Sequence, residues 1–145
     1  NPAYIMKLVE VVKGNQTRDE IVNIIFDVCK QMGKEPVVCK DAPGFIVNRI
    51  ARHYYLESLK IVEEGIASYE DVDTILEATG FKMGPFKLMD LIGMDINLAV
   101  SQSMYHAFNE VERFEPSPIQ VEKVKKGELG KKTGKGFYDY SAKRN

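Results

Sequence analysis

The sequence predicts a mainly α-helical protein that begins with a β-α-β segment over residues 1–40. Two apolar, β-branched runs, at residues 5–12 and 36–39, flank a helical repeat. After residue 41, apolar residues recur at helical spacing between glycine and proline residues that end or begin helices. The composition, 44% hydrophobic and 28% charged over 145 residues, is typical of one compact domain, or of a small domain with part of another.

Turn and capping signals bound the β-α-β segment. Gly14-Asn15 closes the first strand, and Thr17-Arg18-Asp19-Glu20 forms a capping box. Up to Gly33 the apolar positions have helical spacing: Ile21, Ile24, Ile25, Val28 and Met32. Because two strands and one helix are marginal alone, we expect the edge of a larger α/β sheet. A chain that opens on Asn1, without a leader, is expected to be cut from a longer protein.

A long apolar helix is predicted over residues 45–62. Pro43 is suited to a helix start, and Gly44 leaves room for another backbone or a ligand. Apolar residues cover nearly the whole circumference, which predicts burial on most sides. Asn48 is expected one turn inside this helix. A buried amide needs hydrogen-bond partners, so Asn48 either ties down a loop or faces a ligand cavity.

The remaining helices are bounded by serine, glycine and proline signals, which predict helices over residues 68–79, 86–92, 96–112 and 118–126. The last glycine-rich stretch, residues 130–136, lacks the spacing of a phosphate-binding P-loop. We expect it to form a turn that folds Phe137 and Tyr138 back onto the helices.

Composition also excludes several classes of site and partner. No run reaches the roughly 18–20 apolar residues of a membrane span, and with a formal net charge of −1 we expect neither a nucleic-acid nor a membrane partner. Cys29 and Cys39 lack C-x-x-C spacing and are interpreted as reduced thiols of a cytoplasmic protein. His53 and His106 show no metal-ligand spacing, so no metal site is expected.

Glu10 is the polar residue in the first strand whose position is hardest to explain. It lies between Val9 and Val11. On a sheet with one solvated face it points at water, and in an acid–base site it orients a histidine. The strand pattern leaves both interpretations open.

Five motifs in order along the chain resemble one enzyme family over essentially its whole length. They are Asn1-Pro2, Met6-Lys-Leu-Val-Glu10, Lys40-Asp-Ala-Pro-Gly-Phe-Ile-Val-Asn-Arg49, Met83-Gly-Pro-Phe-Lys-Leu-Met-Asp90 and Gly130-Lys-Lys-Thr-Gly-Lys-Gly-Phe-Tyr138. The chain resembles the C-terminal part of (S)-3-hydroxyacyl-CoA dehydrogenase, bacterial 3-hydroxybutyryl-CoA dehydrogenases in particular. The resemblance implies that residues 1–40 are the last β-α-β edge of an NAD-binding Rossmann domain. Residues 41–145 are then a helical substrate and dimerisation domain of the 3-hydroxyacyl-CoA dehydrogenase and 6-phosphogluconate dehydrogenase-like type.

The same resemblance implies roles for individual residues. Glu10 matches the carboxylate that pairs with the catalytic histidine, Asn48 matches an amide near the reacting oxygen, and Asn1 is a candidate on the cofactor side. The family's histidine belongs to a His-Phe-Phe-Asn-Pro motif and would lie three residues before Asn1. The glycine-rich NAD fingerprint lies further upstream still.

The implied function is the interconversion of (S)-3-hydroxyacyl-CoA and 3-ketoacyl-CoA with NAD, in fatty-acid or butyrate metabolism. The partners implied are an acyl-CoA substrate and a second copy of the helical domain, with NAD held by the missing domain and the isolated chain inactive. Two alternatives stay open: a stand-alone helical oligomerisation module without catalysis, and the dehydrogenase part of a multifunctional fatty-acid oxidation protein.

Overall fold

The computed structural model describes residues 4–141, which form two compact units. The first is an N-terminal unit (Asn1–Arg49), and the second is a helical unit (Ile50–Asn145). The elements, in chain order, are β1 (Leu8–Lys13), α1 (Asp19–Gln31), β2 (Glu35–Lys40), α2 (Val47–Glu63), α3 (Tyr69–Ala78), α4 (Pro85–Ile92), α5 (Met94–Ala107) and α6 (Pro118–Lys125). The prediction of a mainly helical fold preceded by β-α-β is confirmed. No helix in this part of the chain is long and apolar enough to cross a membrane.

In the N-terminal unit, β1 and β2 pair in parallel, with Glu10 opposite Val37. The capping box predicted at Thr17 is wrong. The N-cap of α1 is Arg18, and its side chain makes no capping hydrogen bond. The Thr17 N–H instead donates to the Gly14 carbonyl at 3.0 Å and forms a turn there. The helix therefore starts later, at Asp19.

The apolar face of α1 is largely uncovered in the described residues. Ile24, Val28 and Met32 keep 51%, 43% and 66% of their surface exposed. On the strands, Val37 and Val38 are exposed as well, although they point to opposite faces. Two strands give one amphipathic helix too little surface to pack on, which is the physical reason that such a unit is marginal alone.

The core of the helical unit is made by seven buried residues: Tyr55, Leu59, Val72, Phe86, Met89, Met94 and Phe137. α2 contributes one stripe to it, with Arg52, Tyr55, Ser58 and Leu59 as its buried residues. The predicted burial of α2 on most sides is therefore wrong. The buried positions recur every three or four residues, so only one face of α2 meets the core.

The helix predicted over 96–112 is shifted and shorter, because α5 spans Met94–Ala107. Gly93, at φ 103°, makes the whole turn between α4 and α5 by itself, so α5 starts directly after it. Asn109 and Glu110 have φ values of 54° and 60°, a left-handed conformation that ends the helix.

Asp73 is a buried carboxylate that fixes the start of α4. Its oxygens accept the N–H groups of Phe86 at 2.9 Å and Lys87 at 3.0 Å, which satisfies two donors of the first helical turn. The Tyr138 hydroxyl donates to the same carboxylate at 2.7 Å. Burial, together with this carboxylate, raises the pKa of Tyr138, so its hydroxyl stays a proton donor.

Asp90, the second buried carboxylate, holds the C-terminal stretch. It accepts the N–H groups of Phe137 and Tyr138, each at 3.0 Å, and the Tyr140 hydroxyl at 3.0 Å. The prediction that the glycine-rich turn folds Phe137 and Tyr138 back onto the helices is confirmed. Only glycine fits at position 136, because a Cβ there would overlap the Asp90 carboxylate.

Glu128 ties α6 to the same stretch and makes the fold sensitive to acid. Its carboxylate lies 2.7 Å from both Lys123 Nζ and Lys135 Nζ, and these ammonium groups lower the pKa of Glu128 from 4.5 to about 2. Because the folded-state pKa is lowered, the stabilisation is present above about pH 4.5 and is lost as the pH falls toward 2. We expect Glu128→Gln to lower the urea midpoint at pH 7, and this difference from wild type to vanish by pH 2. A difference that stays constant over that pH range would contradict the prediction.

Candidate active site

Glu10 is anchored to the start of α2 within the N-terminal unit. It is half-buried on β1, and its Oε1 accepts the N–H of Ile46 at 2.8 Å and the N–H of Val47 at 3.1 Å. A carboxylate suits this position, because the first N–H groups of a helix lack partners in the helix and carry partial positive charge. Glu10 is therefore bonded to the main chain as well as partly solvated, and Oε2 takes no part in these two bonds.

The loop before α2 bends through two consecutive left-handed residues. Gly44 has φ 73° and Phe45 has φ 45°, and the N–H of Phe45 donates to the Ala42 carbonyl at 2.9 Å. A left-handed conformation is ordinary for glycine but unfavourable for phenylalanine, whose Cβ crowds the carbonyl oxygen. Backbone of this kind can turn successive N–H groups toward one anion, and here Ile46 and Val47 face the Glu10 carboxylate.

Asn48 is the second residue of α2, and its side chain is exposed. The expectation of a buried amide one turn inside the helix is wrong, because residues 45 and 46 form the turn and the helix starts only at Val47. With an exposed side chain, Asn48 does not have to be satisfied inside the fold. It is accessible to a ligand.

The structure therefore brings Glu10 and Asn48 to the same helix end, since Val47, whose N–H binds Glu10, directly precedes Asn48. Asn1 lies outside the described residues. His53 and His106 belong to the helical unit. The ring of His53 lies 5.0 Å from that of Phe114, and His106 Nδ1 lies 3.4 Å from Glu110 Oε1. Among residues 4–141, no group of three or more His, Cys, Asp or Glu side chains is placed to hold a metal ion.

The main-chain partners of Glu10 are the part of the site that the sequence did not reveal. A helix start without an acidic residue in its first turn was a visible signal that a carboxylate could come from elsewhere. The pairing with β1 was not visible, because Glu10 lies 36 residues from Ile46 in the chain.

A buried polar network in the helical unit was also missed. Arg52 is 3% exposed and donates to the Asn97 carbonyl at 2.8 Å and to Ser101 Oγ at 2.9 Å. Gln120 Nε2 donates to Asn97 Oδ1 at 2.6 Å. Burial lowers the pKa of Arg52. This network links α2, α5 and α6, and the partners of the Arg52 guanidinium in it are neutral groups.

Comparison with known families identifies the family of the chain that carries this site. The family model described as 3-hydroxyacyl-CoA dehydrogenase, C-terminal domain, matches residues 44–140, and the one described as 3-hydroxyacyl-CoA dehydrogenase, NAD binding domain, matches residues 1–42. The chain belongs to the 3-hydroxyacyl-CoA dehydrogenase family. The resemblance inferred from the sequence is confirmed.

Individual members of the family agree with this assignment. The chain is 50% identical over 145 residues to a 3-hydroxyadipyl-CoA dehydrogenase of Escherichia coli K12, covering 99% of this chain and 30% of that protein. It is 44% identical over 141 residues to the mitochondrial hydroxyacyl-coenzyme A dehydrogenase of Rattus norvegicus, covering 97% of this chain and 45% of that one.

A solved structure gives the same result for the fold. The crystal structure of a 3-hydroxybutyryl-CoA dehydrogenase from Escherichia coli K12 matches with a TM-score of 0.95 and 49% identity, over 100% of this chain and 31% of that chain. The chain thus spans about a third to a half of the length of these relatives.

Proposed function

We propose that this chain supplies two residues, Glu10 and Asn48, to the active site of an NAD-dependent enzyme that interconverts (S)-3-hydroxyacyl-CoA and 3-ketoacyl-CoA. The observation that carries the proposal is the meeting of Glu10 with the first turn of α2, directly beside Asn48, in a member of this family. In this proposal residues 1–40 are the last part of the NAD-binding domain, and residues 41–145 form the helical domain.

The reaction assigns different tasks to the two side chains. Oxidation of a secondary alcohol removes a hydride from C3 and a proton from the hydroxyl, and NAD, when bound, accepts the hydride. The proton passes to a histidine, which becomes a cation. Glu10 stabilises that cation and fixes which ring nitrogen carries hydrogen, while the Asn48 amide donates to the substrate oxygen and keeps it within reach of the base.

The residues of this chain do not fit the pyrophosphate of NAD. The turn after β1 reads Gly14-Asn15-Gln16-Thr17, with one glycine in place of the G-x-G-x-x-G pattern that lets a backbone approach phosphate groups. We propose that the cofactor is held by the rest of a longer protein.

The test compares the 145-residue chain with the full-length enzyme. We expect the full-length enzyme to oxidise NADH with acetoacetyl-CoA and longer 3-ketoacyl-CoA substrates, followed by absorbance. The isolated chain is expected to show no turnover, because this proposal assigns the histidine and the cofactor site to other parts of a longer protein. Saturable NADH oxidation by the isolated chain would overturn this assignment, and so would a full-length protein inactive toward every chain length.

We also propose that the helical unit pairs with a second copy of itself. The side of α4 that carries Pro85, Phe86 and Met89 is buried in the core and is not available to a partner. A better surface is a mainly apolar groove of about 540 Å³ between α2 and α3. Ile66 and Ile75 line this groove and are 68% and 61% exposed. Apolar side chains this exposed and this close together are typical of an interface.

Light scattering tests the proposed dimer. We expect the chain to have a mass near twice 16.4 kDa at micromolar concentration, and Ile75→Asp to give a monomer, since a carboxylate would be buried unpaired in the interface. Gln102→Asp places the same charge at an exposed position of α5 and should leave the mass unchanged. A monomeric wild-type chain would count against the proposal.

A further inference from the structure

Oε1 and Oε2 of Glu10 are not equivalent in this structure. Oε1 binds the main chain, since it accepts hydrogen bonds from both the Ile46 and the Val47 N–H groups. A carboxylate that served only to orient a histidine would need neither of these bonds. Their presence indicates that Glu10 has a second role, which concerns the start of α2.

Glu10 binds a backbone segment, residues 45–47, whose conformation is unfavourable without contacts from elsewhere in the chain. Phe45 holds φ 45°, a conformation that a residue with a Cβ adopts only when its surroundings impose it. Its own N–H bond to Ala42 closes the turn before the helix, and without Glu10 the two following N–H groups would lose the protein acceptor that they have here. α2 also has no acidic residue in its first turn to balance its positive end. The Glu10 carboxylate places a negative charge at that end.

The position of the Asn48 side chain depends on these two hydrogen bonds. Val47 is the first residue of α2 and Asn48 the second, so fixing the Val47 N–H fixes the direction in which the Asn48 side chain leaves the helix. The anchor comes from another element, β1, so it also sets the start of α2 relative to the strand that carries Glu10. The Asn48 side chain is exposed, so burial does not hold it in place.

We infer that Glu10 is a positioning residue for Asn48: through Oε1 it holds the left-handed turn and the first turn of α2 in the geometry that aims the Asn48 amide. The inference rests on the proposed function, in which Asn48 contacts the substrate oxygen. It assigns to one carboxylate the placement of both groups around that oxygen, the base through Oε2 and the amide through Oε1.

The test removes one anchor bond without touching Glu10 or Asn48. In the full-length enzyme, Val47→Pro deletes the N–H that binds Oε1 at a position where helices accept proline. We expect kcat to fall about tenfold or more with a smaller change in KM, because a misplaced group costs catalysis rather than binding. The pH–rate profile should keep its shape, since the carboxylate still faces the base. Asp19→Pro makes the same backbone change at the first residue of α1, although it also removes the exposed ion pair of Asp19 with Lys13, and it should leave kcat near wild type.

A double-mutant cycle separates positioning from a general structural effect. If the anchor acts through Asn48, then Val47→Pro should lower kcat by less than about twofold once Asn48→Ala is already present. The same loss in both backgrounds would overturn the inference. An enzyme with no activity before any substitution would instead reject the proposed function, so the two failures are distinguishable.

A second pair of variants keeps the test valid if Val47→Pro fails to fold. The amide oxygen of Glu10→Gln can still accept both N–H groups, whereas Glu10→Ala cannot. We expect Glu10→Gln to be at least tenfold more active than Glu10→Ala, and the two to become equal when Asn48→Ala is added. Hydrogen exchange at the Ile46 and Val47 amides should be faster in Glu10→Ala than in Glu10→Gln. Equal exchange rates in these two variants would show that Oε1 does not hold this turn.

Discussion

Replacing Asn48 by alanine in the full-length enzyme should lower kcat by about 10²–10³-fold, the usual cost of removing one hydrogen-bond donor from a reacting oxygen. The melting temperature should not change, because the Asn48 side chain is exposed and its loss leaves no cavity and no buried polar group. Steady-state NADH oxidation and a thermal melt measure the two effects.

Asn23→Ala is the matched control for that experiment. Asn23 is also an exposed asparagine on a helix, α1, and no catalytic role is assigned to it. The control variant should keep both its turnover and its melting temperature. If Asn48→Ala showed near wild-type turnover with an ordinary melt, Asn48 would have to be removed from the proposed site.

The parts of the fold that follow from local chemistry were predictable from the sequence. Gly84-Pro85 starts α4 and Ser117-Pro118 starts α6, as predicted, and Ser117 forms a capping box with Gln120. Ser68 caps α3 by accepting the Asp71 N–H. Each of these signals lies within four residues of the backbone group that it satisfies, so a short stretch of sequence contains the whole interaction.

The parts that failed depend on contacts between distant segments. The burial of Asn48 was predicted from apolar neighbours such as Phe45 and Ile50, yet these side chains are exposed too, because burial depends on what packs against a helix rather than on the helix itself. The bonds from Ile46 and Val47 to Glu10 span 36 and 37 residues. No spacing rule links a strand carboxylate to a helix start at that distance.

The candidate site shows the same division. Family motifs identified Glu10 and Asn48 as residues of interest, but the motifs did not say that the two meet at one helix end. That relation appears only when β1 and the first residues of α2 are placed in space. The main-chain N–H groups that connect them belong to Ile46 and Val47, whose apolar side chains give no hint of a polar role.

Asp90→Ala should strongly destabilise the helical unit. Asp90 is 1% exposed and accepts three hydrogen bonds that hold the C-terminal stretch: from the Phe137 N–H, the Tyr138 N–H and the Tyr140 hydroxyl. Each donor left unsatisfied in the interior costs about 1–3 kcal/mol. We expect a loss of roughly 3–5 kcal/mol, which is a large part of the total stability of about 5–15 kcal/mol of a typical domain.

Urea unfolding followed by circular dichroism measures this loss, with Asp139→Ala as the control, since Asp139 lies in the same stretch but is exposed. The control should change stability by no more than about 0.5–1 kcal/mol. Gly136→Ala gives an independent check, because its Cβ would overlap the Asp90 carboxylate. Its cost should be large in the wild type and much smaller once Asp90→Ala has removed that carboxylate. An unchanged urea midpoint for Asp90→Ala, or equal costs of Gly136→Ala in both backgrounds, would show that this carboxylate does not hold the stretch in place.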